Sequence, residues 1–109
     1  MELDFKNEDL RQLCMQQSMA QRRLGKDSAR KLRARLMDII VAEVVTDLIA
    51  GKPHPLKGNR AGQFALSLAG GHRLVFEPNQ SPIPYQKDGS LDWSKVSKIR
   101  IVLIGDYHD

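Results

Sequence analysis

Phe64-Ala65-Leu66-Ser67-Leu68-Ala69-Gly70-Gly71-His72-Arg73-Leu74-Val75-Phe76 decides the architecture of this chain. Phe64, Leu66 and Leu68 alternate with Ala65 and Ser67, and a second apolar run follows the two glycines. Successive side chains of a strand point to opposite faces, so this period of two describes strands with one covered face. A Gly-Gly pair supplies the positive φ that a tight connection needs. The stretch therefore predicts a β-hairpin over about residues 63–77.

Upstream the period changes to that of helices. Asn7 is placed to cap a helix whose first turn carries Glu8 and Asp9, at the positive end of its dipole. Leu10, Leu13, Cys14, Ala20 and Leu24 then follow helical spacing up to Gly25, which predicts a helix over about residues 7–24. Asp27 or Ser28 would cap a second helix, over about residues 27–50. Its apolar positions are Ala29, Leu32, Leu36, Ile39, Ile40, Val44 and Leu48, and Gly51, Pro53 and Pro55 end it. The β-branched run inside this segment would suit a strand, but unbroken three-four spacing from Leu32 to Leu48 favours helix.

Downstream, residues 78–95 hold Pro78, Pro82, Pro84 and the turn sequence Lys87-Asp88-Gly89-Ser90, and read as a long loop in which Tyr85 and Trp93 act as pins. A last strand follows over about residues 96–107, with Ile99, Ile101 and Leu103 on one face and Arg100, Val102 and Ile104 on the other. The whole is an α+β layer fold: two N-terminal helices packed on a small, mostly antiparallel sheet, in one domain spanning 1–109.

A chain of 109 residues builds one core, and 41% hydrophobic content fits a globular protein. The single cysteine, Cys14, has no internal disulfide partner, so a reducing cytoplasm is expected. No apolar run approaches the roughly 18 residues of a membrane span, and no membrane partner is expected. Seventeen Lys and Arg against thirteen Asp and Glu give a formal +4. Seven of the cations fall within residues 22–35. Such a basic elbow suits a phosphate backbone, an acidic partner, or simply a solvated helix face. The histidines at 54, 72 and 108 have no cysteine cluster and no helical i, i+4 pairing, so neither a metal nor another cofactor is expected.

Two stretches carry chemistry: His54-Pro55-Leu56-Lys57-Gly58-Asn59-Arg60 and Asp106-Tyr107-His108. Together they hold two imidazoles, a phenol, a carboxylate and two cations, which suffice to break a phosphodiester bond without a metal. Regular alternation to the end of the last strand would place Asp106 and His108 on one side and Tyr107 on the other. Taken singly, His54 is a loop histidine, Lys57-Gly58-Asn59 a solvated turn, Tyr107 a cover for the sheet edge and His108 a frayed end. Their co-occurrence in this order favours a site. His72 is not needed for it and reads as a strand-edge residue.

In these two stretches, and in His72-Arg73-Leu74-Val75-Phe76, the chain resembles the RelE/ParE toxins, and within them the HigB (host-inhibition, or plasmid maintenance killer) branch of type II toxin–antitoxin systems. The likeness runs from about Leu32 onward, apart from the 78–95 loop, which is longer than the connection in smaller members. Asn59 stands where an acidic residue is common. The resemblance implies a microbial RNase toxin fold and a ribosome-dependent endoribonuclease that cuts messenger RNA in the A site. It implies a cognate helix-turn-helix antitoxin, HigA-like, which brings operator DNA into contact only indirectly. Carried over by position, His54, Lys57, Asp106, Tyr107 and His108 form the active site, and Arg60 and Arg73 hold RNA phosphate.

The residue types suit that reaction. RNA is cut when its own 2′-hydroxyl attacks the adjacent phosphorus, which needs a base, an acid and positive charge on the phosphorane. His54 and His108 would exchange the protons, in either order, while Lys57 and Arg73 stabilise charge. Tyr107 would orient a nucleotide, and Asp106 would set a histidine tautomer or hold a base. Two other functions fit the same likeness: a ParE-like inhibitor that binds DNA gyrase without cutting RNA, and an inactive regulator that only binds antitoxin.

Overall fold

The computed structural model describes residues 1–106. In chain order the elements are β1 (Glu2–Phe5), α1 (Glu8–Met15), α2 (Gln17–Leu24), α3 (Lys26–Val41), β2 (His54–Pro55), β3 (Phe64–Ser67), β4 (Arg73–Pro78) and β5 (Lys98–Gly105). The strands form one sheet in the order β1-β5-β4-β3-β2, antiparallel except for the parallel pair β1 and β5. Leu10, Leu13, Leu32 and Ile39 of the helices share one core with Phe64, Leu66, Leu74, Phe76, Ile99 and Ile101 of the sheet. This is the α+β architecture expected, with the predicted hairpin in place as β3 and β4.

The helices depart from expectation in number and length. The first expected helix, over 7–24, is two helices, because Gln16 adopts an extended conformation between Met15 and Gln17. Arg23 closes back on Asp9 with two hydrogen bonds of 2.7 and 2.8 Å. In one straight helix these residues would stand about 21 Å apart, so the pair requires the break. Asn7 caps α1 as expected, its side chain accepting from the Leu10 N–H at 2.9 Å. At the start of α3, Gly25 (φ +85°) replaces the expected Asp27 or Ser28 cap.

The second expected helix, over 27–50, ends at Val41. The amino group of Met1 donates to the Ile39 and Ile40 carbonyls at 2.8 and 3.2 Å and also to Ala42, satisfying helix-end acceptors. The Asp47 carboxylate then accepts from the Glu43 and Val44 N–H groups, closing a short 3₁₀ turn at Val45–Asp47. The break moves burial from Val44 to Val45, which is fully buried and donates its N–H to the Val96 carbonyl. Ile40, inside the expected apolar stripe, is 56% exposed.

In the sheet, β1 was not foreseen: Leu3 and Phe5 alternate over only four residues, too short a period to stand out. The last strand spans Lys98–Gly105 where 96–107 was expected. Its faces also differ from regular alternation. Val75 pairs with Leu103 and Phe76 with Ile101, so Val102 is an extra residue in a bulge. Beyond it the phase inverts: Ile104 packs on the core with Ile99 and Ile101, while Leu103 joins Arg100 on the opposite face.

The 78–95 loop is ordered by its own contacts. Trp93 lies 4.9 Å from Phe64 and edge-on to Phe76 at 6.4 Å, and Phe64 stacks on Phe76 at 5.4 Å. Trp93 is thus a pin, as expected. Tyr85 is not: its residue is 62% exposed.

Cys14 packs against the core, and burial pushes its thiol up to about 12. An unfolded thiol ionises near about 8.5, so the folded state holds the proton more tightly. Stability from this group is therefore complete below about pH 8.5 and is lost as pH rises towards 12. At pH 8, iodoacetamide should alkylate Cys14 far more slowly in the native protein than in urea, as followed by mass spectrometry. Equal rates would show that the thiol is open to solvent.

Candidate functional site

The sheet face turned away from the helices carries two of the candidate residues, His54 and Arg73. Directly paired residues share a face, which gives a row His54–Ala65–Val75–Leu103 and, two residues along, a row Ser67–Arg73–Gly105. Standard strand spacings put the Cα atoms of His54 and Arg73 roughly 12 Å apart. Between them lies a floor of Ala65 and Val75, both fully buried. That part of the face is therefore covered by neighbouring side chains, with His54 and Arg73 at its two sides.

His54 is exposed on β2, the edge strand. Its Nδ1 is 2.8 Å from the Lys52 carbonyl oxygen, which Lys52 presents from a left-handed backbone (φ +50°). A carbonyl only accepts, so in the neutral ring Nδ1 carries the proton and Nε2 is the basic nitrogen. A histidine held this way is a ready proton acceptor.

Lys57 precedes and Arg60 ends a 3₁₀ turn at Gly58–Arg60, which the Leu56 N–H to Gln63 carbonyl bond (2.9 Å) ties at its base. Lys57 is exposed, whereas Arg60 is half-buried and donates through Nη1 to Gln63 Oε1 at 3.1 Å. Arg73 opens β4 and donates through Nη1 to the His72 carbonyl at 3.1 Å.

Asp106 follows Gly105, the partner of Arg73, and its carboxylate lies against Gly71 of the hairpin turn: a Cβ on that glycine would be 3.4 Å from Oδ1. This places Asp106 near the Arg73 end, three strands across from His54. Tyr107 and His108 lie outside the described residues.

Two features were missed in the sequence. Ser28 does not cap a helix but sits buried under the hairpin turn. Its hydroxyl donates to the Ala69 carbonyl at 2.9 Å and accepts from the Ala69 N–H at 3.2 Å, and His72 Nδ1 lies 2.8 Å away. With the hydroxyl proton committed, Nδ1–H donates to it, so α3 holds the turn that presents Arg73. The second is an ion pair between Arg100 and Glu77 farther along the open face. Neither is legible locally, because the partners lie 44 and 23 residues apart.

Among the described residues no group of three or more His, Cys, Asp or Glu is placed to hold a metal ion, and no helix is long and apolar enough to cross a membrane. A larger groove lined by Met37, Val41, Leu48 and Ile49 carries none of the candidate residues.

No protein-family model matches the sequence, and no curated protein matches it either. Solved structures do. A YoeB/ParE toxin from Agrobacterium tumefaciens superposes with a TM-score of 0.62 at 16% identity, over 99% of this chain and 100% of that one. The chain has the fold of the YoeB/ParE toxins. A YoeB-YefM complex from Staphylococcus aureus matches with a TM-score of 0.58 at 18% identity, over 100% of this chain and 98% of that one. Both likenesses run end to end.

Proposed function

We propose that this chain is the toxin of a type II toxin–antitoxin pair and an endoribonuclease that cuts messenger RNA in the ribosomal A site. The observation that carries this reading is the hydrogen bond of exposed His54 to the Lys52 carbonyl, which leaves Nε2 as the unprotonated nitrogen of the neutral ring, on the same sheet face as Arg73. His54 takes the 2′-hydroxyl proton as the 2′-oxygen bonds to phosphorus. His108 gives a proton to the departing 5′-oxygen as the P–O5′ bond breaks, leaving a 2′,3′-cyclic phosphate and a 5′-hydroxyl. Arg73 and Lys57 balance charge on the phosphorane, and Arg60 braces the turn that carries Lys57. Asp106 and Tyr107 hold the nucleotide. The ribosome supplies in-line geometry that a free strand rarely adopts.

The YoeB-YefM neighbour is a complex, which supports an antitoxin partner here, HigA-like by the sequence resemblance. Cytoplasmic action on translating ribosomes follows from the same reading.

Toeprinting of a translating message with and without the protein tests it. Breaks at the A site that vanish with His108→Ala are expected. Intact message together with growth arrest in cells would overturn the nuclease and favour a gyrase-binding toxin.

A further inference from the structure

The long loop builds a groove beside His54 that the chemistry above does not use. Pro55 and Leu56 form one wall, Gly62 lies at one end, and Tyr85, Leu91 and Trp93 close the other side around about 600 Å³. Because side chains alternate along β2, this groove lies around the sheet edge from His54, starting one residue away. Trp93 is fixed from beneath by Phe64 and Phe76. Tyr85 pairs with Leu91 across a small hairpin, tied by the Gln86 N–H to Ser90 carbonyl bond (2.7 Å) and the Asp92 N–H to Pro84 carbonyl bond (2.9 Å). A large aromatic side chain is thus held exposed on a braced support, which a mere loop pin would not require.

Charge defines the occupant. Lys57 and Lys87, both exposed, each adjoin a lining residue in sequence. Of the two neighbouring acids, Asp92 is balanced by Lys95 at 3.8 Å, while Asp88 stays charged but turns its carboxylate back on the Ser90 N–H and hydroxyl. Aromatic surface beside cations is the chemistry of single-stranded nucleic acid, in which bases stack and phosphates pair.

We propose that this groove is a subsite for one unpaired base of the RNA strand cut at His54, stacked on Tyr85. The assignment rests on the nuclease reading and adds to it a base-binding position supplied by the long loop. Trp93 is the sole tryptophan and lines the groove, so it reports occupancy by fluorescence.

The test titrates the intact His108→Ala protein with a single-stranded RNA hexamer, with inorganic phosphate as the charge control. Saturable quenching by the hexamer is expected, weakened about tenfold or more by Tyr85→Ala and retained by Tyr85→Phe. The proposal is overturned if millimolar hexamer leaves Trp93 unchanged, if phosphate quenches equally, or if Tyr85→Ala binds as before. An unchanged titration with weaker neutralisation by antitoxin would make the groove a protein-docking surface instead. Hexamer binding through Tyr85 without A-site breaks would leave the subsite standing and remove the nuclease. A-site breaks whose position and rate ignore Tyr85→Ala would do the reverse.

Discussion

On the proposed nuclease mechanism, replacing His54 with alanine should lower the rate of message cleavage about 10²- to 10⁴-fold, the usual worth of a positioned proton-transfer group. The loss should fall on the chemical step, because the His54 side chain has one hydrogen bond among the described residues, to the Lys52 carbonyl, and alanine keeps the backbone pairing with Ala65. Breaking one such exposed contact costs less than about 1 kcal/mol, so the melting temperature and antitoxin binding should be nearly unchanged. Single-turnover cleavage on programmed ribosomes separates this from a folding defect. A variant that cuts at the parental rate would remove His54 from the reaction and leave Nε2 an ornament of the edge strand.

The parts of the fold legible in the sequence were those whose cause is local. The Gly70-Gly71 hairpin and the Asn7 cap each depend on neighbours within a few residues, and both formed as expected. The misjudged parts answer to distant groups. The second helix should by its own spacing have run on to Leu48, yet its end is set by the Met1 amino group and by Asp47. The bulge at Val102 is invisible in an uninterrupted run of aliphatic residues, and only pairing with β4 reveals it. Ser28 looked like a cap because caps are where serine most often serves, whereas its partners sit 41 and 44 residues away.

The candidate site divides the same way. His54 and Lys57 were recognisable as residue types in a motif, but the tautomer of His54 depends on the unusual backbone of Lys52, which no pattern announces. Arg73 was recognisable from the likeness, and the sheet register places it on the same face as His54. Lys57 and Arg60 instead belong to a separate small turn beyond the edge strand. The candidate residues are therefore spread over an edge strand, a turn and a hairpin, and their relative placement depends on how firmly the sheet beneath is packed.

That dependence makes Phe76 the most consequential core position. It is fully buried, stacks on Phe64 and meets the edge of Trp93, so it supports both β3 and the loop from below. Phe76→Ala should cost about 3–5 kcal/mol, the usual range for emptying an aromatic site in a packed core. For a domain whose total stability is about 5–15 kcal/mol, that is a large fraction. Urea unfolding should show a lower midpoint with little change in slope. Phe76→Leu keeps most of the volume and should lose much less. The functional consequence follows from the topology. His54 is anchored only by the two-residue pairing of β2 with Phe64 and Ala65, so loosening Phe64 should weaken cleavage at temperatures where the variant remains folded. A loss below about 1 kcal/mol would mean that the site collapses without cost, a result at odds with three interlocked rings in the core.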